Sequence, residues 1–426
     1  MMKIRANEIL PYVPVRYTEM LNAFIPSEAI ISLTQDALGQ TSCLVKENDV
    51  VTEGQIIATG RGLRSSVIHS PLPGIVSGFI SCSMPDGRRT EAVKIKMKGE
   101  FSLFGKPKTE TIWKSFPSSS LRRIIADAGI INTFGKFFPL AYQLEKHIEK
   151  KIPPVLIIRM FDEDPSNTVD RFIAEKYNTQ ITEGAAIIAS ALETEDIVFV
   201  YPSDFSGTIA SLPEIKNVKT ISMDTSVYPC GGSKQLLQAI VKKGFWGTDS
   251  FDDKLFLDSS TVYSVYEAVV HGVPAMEKII QVGGDALVGD GLLKVRLGTT
   301  IRSLASEYGG FETDNPKIII NGLLKGTNIS DYDTPITKYV KSIFFMKNKA
   351  SMKPKSYECI KCGRCRSICP SNIKPDILYS SYHFNQNISQ EYIKVAKDCT
   401  DCMLCNSTCP SRLPLYQTIS ILKEVE

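Results

Sequence analysis

Eight cysteines fall in two runs of identical spacing, and this limits the chain more than any other feature. The first run is Cys359-x-x-Cys362-x-x-Cys365-x-x-x-Cys369-Pro370, and the second is Cys399-x-x-Cys402-x-x-Cys405-x-x-x-Cys409-Pro410. Only three further cysteines exist, Cys43, Cys82 and Cys230, and they are scattered. The N-terminal stretch Met1–Tyr12 lacks a basic segment followed by an apolar run and a small-residue cleavage site, so no secretory signal is expected. Thiols in such a chain stay reduced, and clustered cysteines then read as metal ligands rather than disulfides. Structural zinc takes four ligands, commonly from two C-x-x-C pairs, and does not account for two four-cysteine runs that each end in Cys-Pro.

The spacing is that of two-cluster bacterial ferredoxins. Three cysteines at steps of three on a tight loop can turn their thiolates toward one compact iron–sulfur cube. The fourth, followed by proline, starts a helix that crosses to the other cube. In that arrangement the fourth cysteine of each run serves the other cluster. One [4Fe–4S] cluster is therefore assigned to Cys359, Cys362, Cys365 and Cys409, and a second to Cys399, Cys402, Cys405 and Cys369. The runs also form an internal repeat: Cys369-Pro370-Ser371 matches Cys409-Pro410-Ser411, with helices expected over Lys374–Tyr382 and Pro414–Glu424. Lys361, Arg364 and Arg366 make the region locally cationic. That charge suits docking of an acidic flavodoxin or ferredoxin, or simply compensates anionic clusters.

The rest of the chain reads as several domains. Its 426 residues suggest two to four. A formal charge of +3 gives no argument for nucleic acid, and no apolar run approaches the roughly 18 to 20 residues of a membrane span. From Gln40 to Lys98 short apolar stretches alternate with turns such as Glu47-Asn48-Asp49, Pro73-Gly74 and Asp86-Gly87, an all-β pattern. It resembles the barrel-sandwich fold of biotin and lipoyl carriers, but the turn His69–Gly74 has no lysine to take such a cofactor, and His69 reads as a turn residue. From Ser120 to Gly247 strand-like runs (Val155–Met160, Ile197–Tyr201, Val218–Met223) alternate with helical ones (Phe138–Lys151, Thr168–Lys176, Gly231–Lys243), which predicts a largely parallel sheet. Lys278–Leu324 is again β-rich. After Thr334 a lysine-rich connector is expected, with Lys338, Lys341, Lys347, Lys349, Lys353 and Lys355. Cys230 reads as an inert turn cysteine, and Cys43 and Cys82 as small core residues.

In order, these modules resemble the C subunit of the Rnf electron-transport complex, and the middle parts resemble the flavoprotein subunit of respiratory complex I. The stretches Tyr228–Leu237, Tyr263–Val269 and Pro335-Ile336-Thr337-Lys338 add to the likeness. The resemblance implies a multidomain α/β protein: a barrel-sandwich domain over 1–110, a Rossmann-like flavin-domain scaffold over 111–255, a β-grasp-like (SLBB) module over 256–335, and the connector with a two-cluster ferredoxin-like α domain over 336–426. It implies a peripheral subunit on the cytoplasmic face of the membrane, held by other subunits of the complex. It further implies FMN, hydride exchange with NADH and single-electron transfer to the clusters.

The residues depart from that pattern where a flavin would bind. The family's glycine-rich loop corresponds to Ala128–Leu140, where Gly135 alone survives of four inner glycines and Asn132, Phe134 and Phe137 replace the others. Glycine there lets backbone N–H groups approach a phosphate, and the two phenylalanines are expected to fill the space. A second motif is altered in Arg159–Pro165, where Met160 replaces a glycine and the acidic pair becomes Asp162 and Asp164. In the third motif Ser233 replaces a glutamate. The expectation is a retained scaffold whose FMN/NADH site is lost or strongly remodelled. The competing reading is an FMN-dependent NADH:acceptor oxidoreductase in which Lys136 meets a phosphate. A soluble reductase of the same modular family, such as a cobalamin reductase, is a third reading, and a purely structural subunit a fourth.

Overall fold

A computed structural model describes residues 4–10, 15–39, 41–60, 62–209, 212, 215–245, 250–348, 356–384 and 389–425. Two small sheets make up the N-terminal β region. A four-stranded antiparallel sheet contains Glu28–Ser32, Arg89–Met97, Gly74–Ser83 and Val50–Val51, and a three-stranded one contains Ser42–Cys43, Ile56–Thr59 and Ile68–His69. Their inward alternate residues, among them Ile31, Ile57, Ile68, Val76 and Ile95, close one core. Ile25 packs on that core, but the two short strands ahead of Glu28 pair with other units. Ile4–Arg5 pairs with Val227–Tyr228, and Leu21–Asn22 with Leu293–Lys294. His69 is buried, with no hydrogen-bond partner for Nδ1. Burial, then the nearby Lys338 ammonium, pushes its pKa down to about 3.

The second unit is a four-stranded parallel sheet in the order Asn217–Met223, Asp196–Pro202, Val155–Arg159, Lys254–Asp258. Val155–Arg159 is buried at every position, which is why it reads as a continuous apolar run. Expected strand and helix positions agree to within about two residues: the helices run Leu140–Lys150, Val169–Lys176 and Ser233–Lys242. The unit extends past the expected boundary at 255, because Lys254–Asp258 is one of its strands and helix Ser259–His271 packs on helix Asn178–Leu192. That contact is close: a Cβ at Gly184 would stand 2.5 Å from the Val262 carbonyl oxygen.

The third unit is a six-stranded mixed sheet, Leu21–Asn22, Gly291–Arg296, Glu277–Gly283, Ser342–Met346, Lys317–Ile320, Thr327–Ile329, with helix Ile301–Glu307 against it. This corrects the expected connector. Ser342–Met346 is an interior strand, hydrogen-bonded on both sides and buried throughout. Lys338 and Lys341 are themselves buried. Lys338 Nζ donates to the carbonyls of Val67 (2.5 Å) and Gly129 (2.6 Å), tying the β region to the parallel-sheet unit. Lys347 pairs with Glu312. Lys349, Lys353 and Lys355 lie outside the described residues.

The C-terminal part is helical: Arg364–Ile368, Pro375–Phe384, Gln390–Lys397, Leu404–Thr408 and Leu415–Glu424. The internal repeat is written into its backbone. Lys361 and Asp401 both have φ 54°, Gly363 and Met403 have φ 74° and 57°, and Asn372 and Arg412 have φ 55° and 53°. Each five-residue helix thus starts after a left-handed residue and ends at the fourth cysteine of its run, Cys369 or Cys409. No helix among the described residues is long and apolar enough to cross a membrane.

Candidate functional site

In the parallel sheet the chain leaves Val155–Arg159, builds two strands on one side, and returns to lay Lys254–Asp258 on the other. Open α/β sheets bind ligands beyond the strand ends at such a switch point. The facing terminal residues there are Arg159 and Asp258, and both are buried charges. Arg159 is 2% exposed. Its Nε donates to the Phe161 carbonyl (2.9 Å) and Nη1 to the Gly231 carbonyl (2.7 Å), while the guanidinium lies 4.3 Å from the centre of the Phe134 ring. Nη2 stands 3.7 Å from Asp170 Oδ2. Lys341 Nζ bridges Asp170 Oδ2 (2.5 Å) and Asp258 Oδ2 (2.6 Å). Asp258 also accepts from Thr261 N, Thr261 Oγ1 and Thr133 Oγ1, and so caps helix Ser259–His271. Burial alone would raise the Asp258 pKa; Lys341 and Arg159 instead hold it well below the usual carboxylate range. Two cations and two carboxylates here neutralise one another inside the protein.

The degenerate loop is a short hairpin, Ile131–Asn132 against Phe138–Pro139. Two of its amides are already committed: Thr133 N donates to Thr261 Oγ1 (3.0 Å) and Phe134 N to Asn132 Oδ1 (3.0 Å). Phe134 stacks on Phe256. Phe137 stacks on Tyr339 and joins the small cluster around Cys82 and Met84. Gly129 needs its glycine, since at φ 66° a Cβ would stand 2.1 Å from the Val67 carbonyl oxygen. Gly135, the survivor, does not, because a Cβ there meets nothing within 4 Å.

The altered acidic segment has structural work. Asp162 accepts from the amides of Asp170 and Arg171 at the start of helix Val169–Lys176. Burial and the neighbouring Asp170 push its pKa up to about 7. Asp164 takes the amides of Leu324 and Lys325 and of Ser166, pinning the loop between strands Lys317–Ile320 and Thr327–Ile329 to the parallel-sheet unit. Against its burial, Glu163 is held at about 2 by Lys325 and Arg159.

In front of this plug lies a cleft of about 540 Å³. The hairpin, Asp162–Asp164 and Ser233 line one side, and Cys399, Thr400, Asp401, Met403 and Tyr416 the other. The three altered motifs and the second cysteine run therefore share one cavity. The cysteines sort into two groups. A small cavity is lined by Cys359, Cys362, Cys365 and Cys409 together. Cys405, its thiol pushed up chiefly by burial, is pushed further by Cys402, Cys399 and Cys369 close by. Four thiols bordering one cavity fit a cluster's ligand set. Among the described residues no group of His, Cys, Asp or Glu closes on a single-ion site. Arg366 forks onto Asp376 (Nε–Oδ1 2.8 Å, Nη2–Oδ2 2.6 Å), so its charge is matched within the module. Cys230 is half-buried, and burial pushes its thiol up to about 12, as an inert cysteine requires. Cys82 is buried as expected, and Cys43 is half-buried.

Sequence reasoning missed Arg159 as a plug and Lys341 as its partner. The only signal was an arginine closing an otherwise apolar strand.

The family model described as the RnfC barrel sandwich hybrid domain matches residues 16–100, and the one described as the Nuo51 FMN-binding domain matches 125–281. The C subunit of a proton-translocating ferredoxin:NAD(+) oxidoreductase complex from Clostridium ljungdahlii is 26% identical over 359 residues, covering 83% of this chain and 78% of that one. The C subunits of ion-translocating oxidoreductase complexes from Pasteurella multocida (27%, 95% of this chain and 48% of that) and Vibrio cholerae (25%, 84% and 47%) are similar. The chain thus spans about half the length of these last two relatives. An NAD+-reducing [NiFe]-hydrogenase chain is 14% identical with a TM-score of 0.48, covering 69% of this chain and 60% of that one, too weak a likeness to argue from. Fold and comparisons together define a multidomain α/β electron-transport subunit, a barrel-sandwich domain joined to a domain of the 51-kDa flavoprotein type. Over most of its length the chain is similar to the C subunits of Rnf ion-translocating oxidoreductase complexes.

Proposed function

We propose that the protein relays single electrons within a membrane-bound Rnf-type complex, as a peripheral subunit on the cytoplasmic face, and does not itself oxidise NADH. The observation that carries this reading is the Arg159–Asp170–Lys341–Asp258 network, which occupies the switch-point crevice with self-neutralised charge. A flavin phosphate entering there would meet the committed amides of Thr133 and Phe134 and, in Arg159 and Lys341, cations that already have carboxylate partners. The residues present do not fit the group, so no hydride step is derived for this chain.

The cysteine sets do fit. Cys359, Cys362, Cys365 and Cys409 would hold one [4Fe–4S] cluster, and Cys399, Cys402, Cys405 and Cys369 the other, in a ferredoxin-like module that follows a β-grasp-like one. Bound there, such clusters supply one-electron transfer. The chain's own part is to shield and position. Tyr228 Oη donates to the Cys402 carbonyl (2.9 Å), and Ile4, Leu324 and Leu404 pack beside Cys402 and keep water from it. Lys325, near the same cysteine, supplies positive charge.

The test is iron and flavin content of anaerobically purified protein, followed by absorbance on adding NADH. About eight irons, no flavin and no bleaching support the relay. Stoichiometric FMN with rapid cluster reduction sinks it. That outcome is the second reading, an FMN-dependent NADH:acceptor oxidoreductase, favoured by the size of the cleft and by exposed Lys136 at its edge.

A further inference from the structure

The two cysteine sets meet unlike surroundings. Cys399, Cys402 and Cys405 are all buried and Cys369 is half-buried: Cys402 lies under Tyr228, Leu324 and Ile4, Cys399 against Ile419 and Leu422 at the cleft wall, and Cys405 against Leu413 and Leu415. In the other set Cys365 is buried, but Cys362 is exposed and Cys359 and Cys409 are partly so. Beside Cys362 stand two large apolar side chains with no cover, Ile360 (66% exposed) and Tyr357 (57%). They are held in place by the bond from Tyr357 N to the Ser411 carbonyl (2.9 Å), which lays this segment along the second run. The surrounding charges are of one dominant sign. Lys361, Arg364 and Arg412 are exposed, and Glu358 is the opposing acid. Arg366 adds little to this face because Asp376 already holds it.

An apolar centre with a charged rim is the composition of a protein–protein interface, and an exposed tyrosine is a common anchor in one. Resting on the relay reading, we propose that this face docks an acidic protein partner that carries a one-electron centre. The buried set then serves the cleft side and the exposed set serves the partner, so that the module has a direction. The step is the passage of one electron between the partner's redox centre and the cluster at the exposed set. One is oxidised as the other is reduced, and no bond forms or breaks. Ile360 and Tyr357 supply the dry contact. Lys361, Arg364 and Arg412 steer the encounter and make it sensitive to salt.

The experiment uses the full chain with both clusters in place and an acidic two-cluster bacterial ferredoxin as probe. Stopped-flow electron exchange and calorimetric affinity are measured across ionic strength. The double variant K361E/R364E is expected to lower the bimolecular rate at low salt by about tenfold or more, to weaken binding and to flatten the salt dependence. Its iron content and the resonance spectrum of the reduced clusters should remain those of wild type. R412E, which lies in the other run, should act in the same direction, and I360S should weaken binding at every salt concentration. K46E/K98E, an equal charge change on the N-terminal β region, should change nothing. The proposal is overturned if K361E/R364E or R412E, with clusters intact, exchanges electrons at the wild-type rate and salt dependence, or if the loaded wild type does not bind the probe. A wild type that never takes up about eight irons would overturn the relay reading instead.

Discussion

Replacing Lys341 by methionine tests whether the crevice is closed by charge. Lys341 keeps two buried carboxylates in balance, at 2.5 Å from Asp170 and 2.6 Å from Asp258. Methionine has nearly the same length and removes the ammonium's own burial cost, but leaves the two carboxylates facing Arg159 and the more distant Lys278. Removing one partner of a buried ion pair costs about 3 to 5 kcal/mol. The lower half of that range applies here. Asp258 keeps three hydrogen bonds and Asp170 keeps two from Ser260, so neither is left bare. In urea, followed by far-ultraviolet circular dichroism, the transition of the parallel-sheet unit should move down by roughly 1 to 2 M. The effect should depend on pH with a definite sign. In wild type the Asp258 pKa is depressed, so its contribution is present above the ordinary carboxylate range and is lost as pH falls through its folded value. Without Lys341 that contribution shrinks, and the gap between variant and wild type should narrow as pH falls through the carboxylate range. K341M/D258N should recover part of the loss. A K341M protein within about 1 kcal/mol of wild type at neutral pH, well under the expected cost, would refute the reasoning and return the crevice to use as a ligand site.

Three further outcomes are expected. Cys409→Ser should remove the same cluster signal as Cys362→Ser, and Cys369→Ser the same as Cys405→Ser; two signals lost by run rather than by crossed set would show that the fourth ligand does not cross. Asp162→Asn should flatten the stability profile between the ordinary carboxylate range and about pH 7, because the raised Asp162 pKa makes wild type lose stability as pH rises through that window; an unchanged profile in urea titrations would count against it. Asp164→Ala strips acceptors from the amides of Leu324 and Lys325 and should cost about 2 to 4 kcal/mol, with faster amide exchange at that loop and an altered signal from the Cys402 cluster; unchanged exchange would show that the loop is held by something else.

The parts legible in the sequence are those in which local chemistry allows little choice. The cysteine spacing, the helices that follow each Cys-Pro and the buried strand Val155–Arg159 are fixed by near neighbours. The altered flavin loop was equally readable, because loss of glycine is visible residue by residue. What was not legible depends on contacts from far along the chain. Lys338 and Lys341 look like the start of a soluble connector, yet they reach Gly129 and Asp258 and so lie in the interior. Once they are buried, Ser342–Met346 becomes an interior strand rather than a linker. Arg159 could not be placed for the same reason, since its partners Gly231, Asp170 and Phe134 come from three separate segments. Asp162 and Asp164 kept the look of a ligand motif while serving amides of the protein itself.

The strand Ile4–Arg5 has a consequence for how the protein is made. Its partner is Val227–Tyr228, and Ile4 also packs beside Cys402, a residue from the far end of the chain. At about 5 to 20 residues per second, the ribosome releases Cys402 roughly 20 to 80 seconds after Ile4. Val227–Tyr228 is made before Cys402, so strand Ile4–Arg5 can pair first and its contact beside Cys402 forms afterwards. For the cluster proposed there, a contact that forms before iron and sulfide arrive shuts the Cys402 side, and one that forms after seals it from oxygen. The contact at Cys402 is thus a late step in assembly, and its timing relative to cluster delivery decides whether the proposed relay is completed.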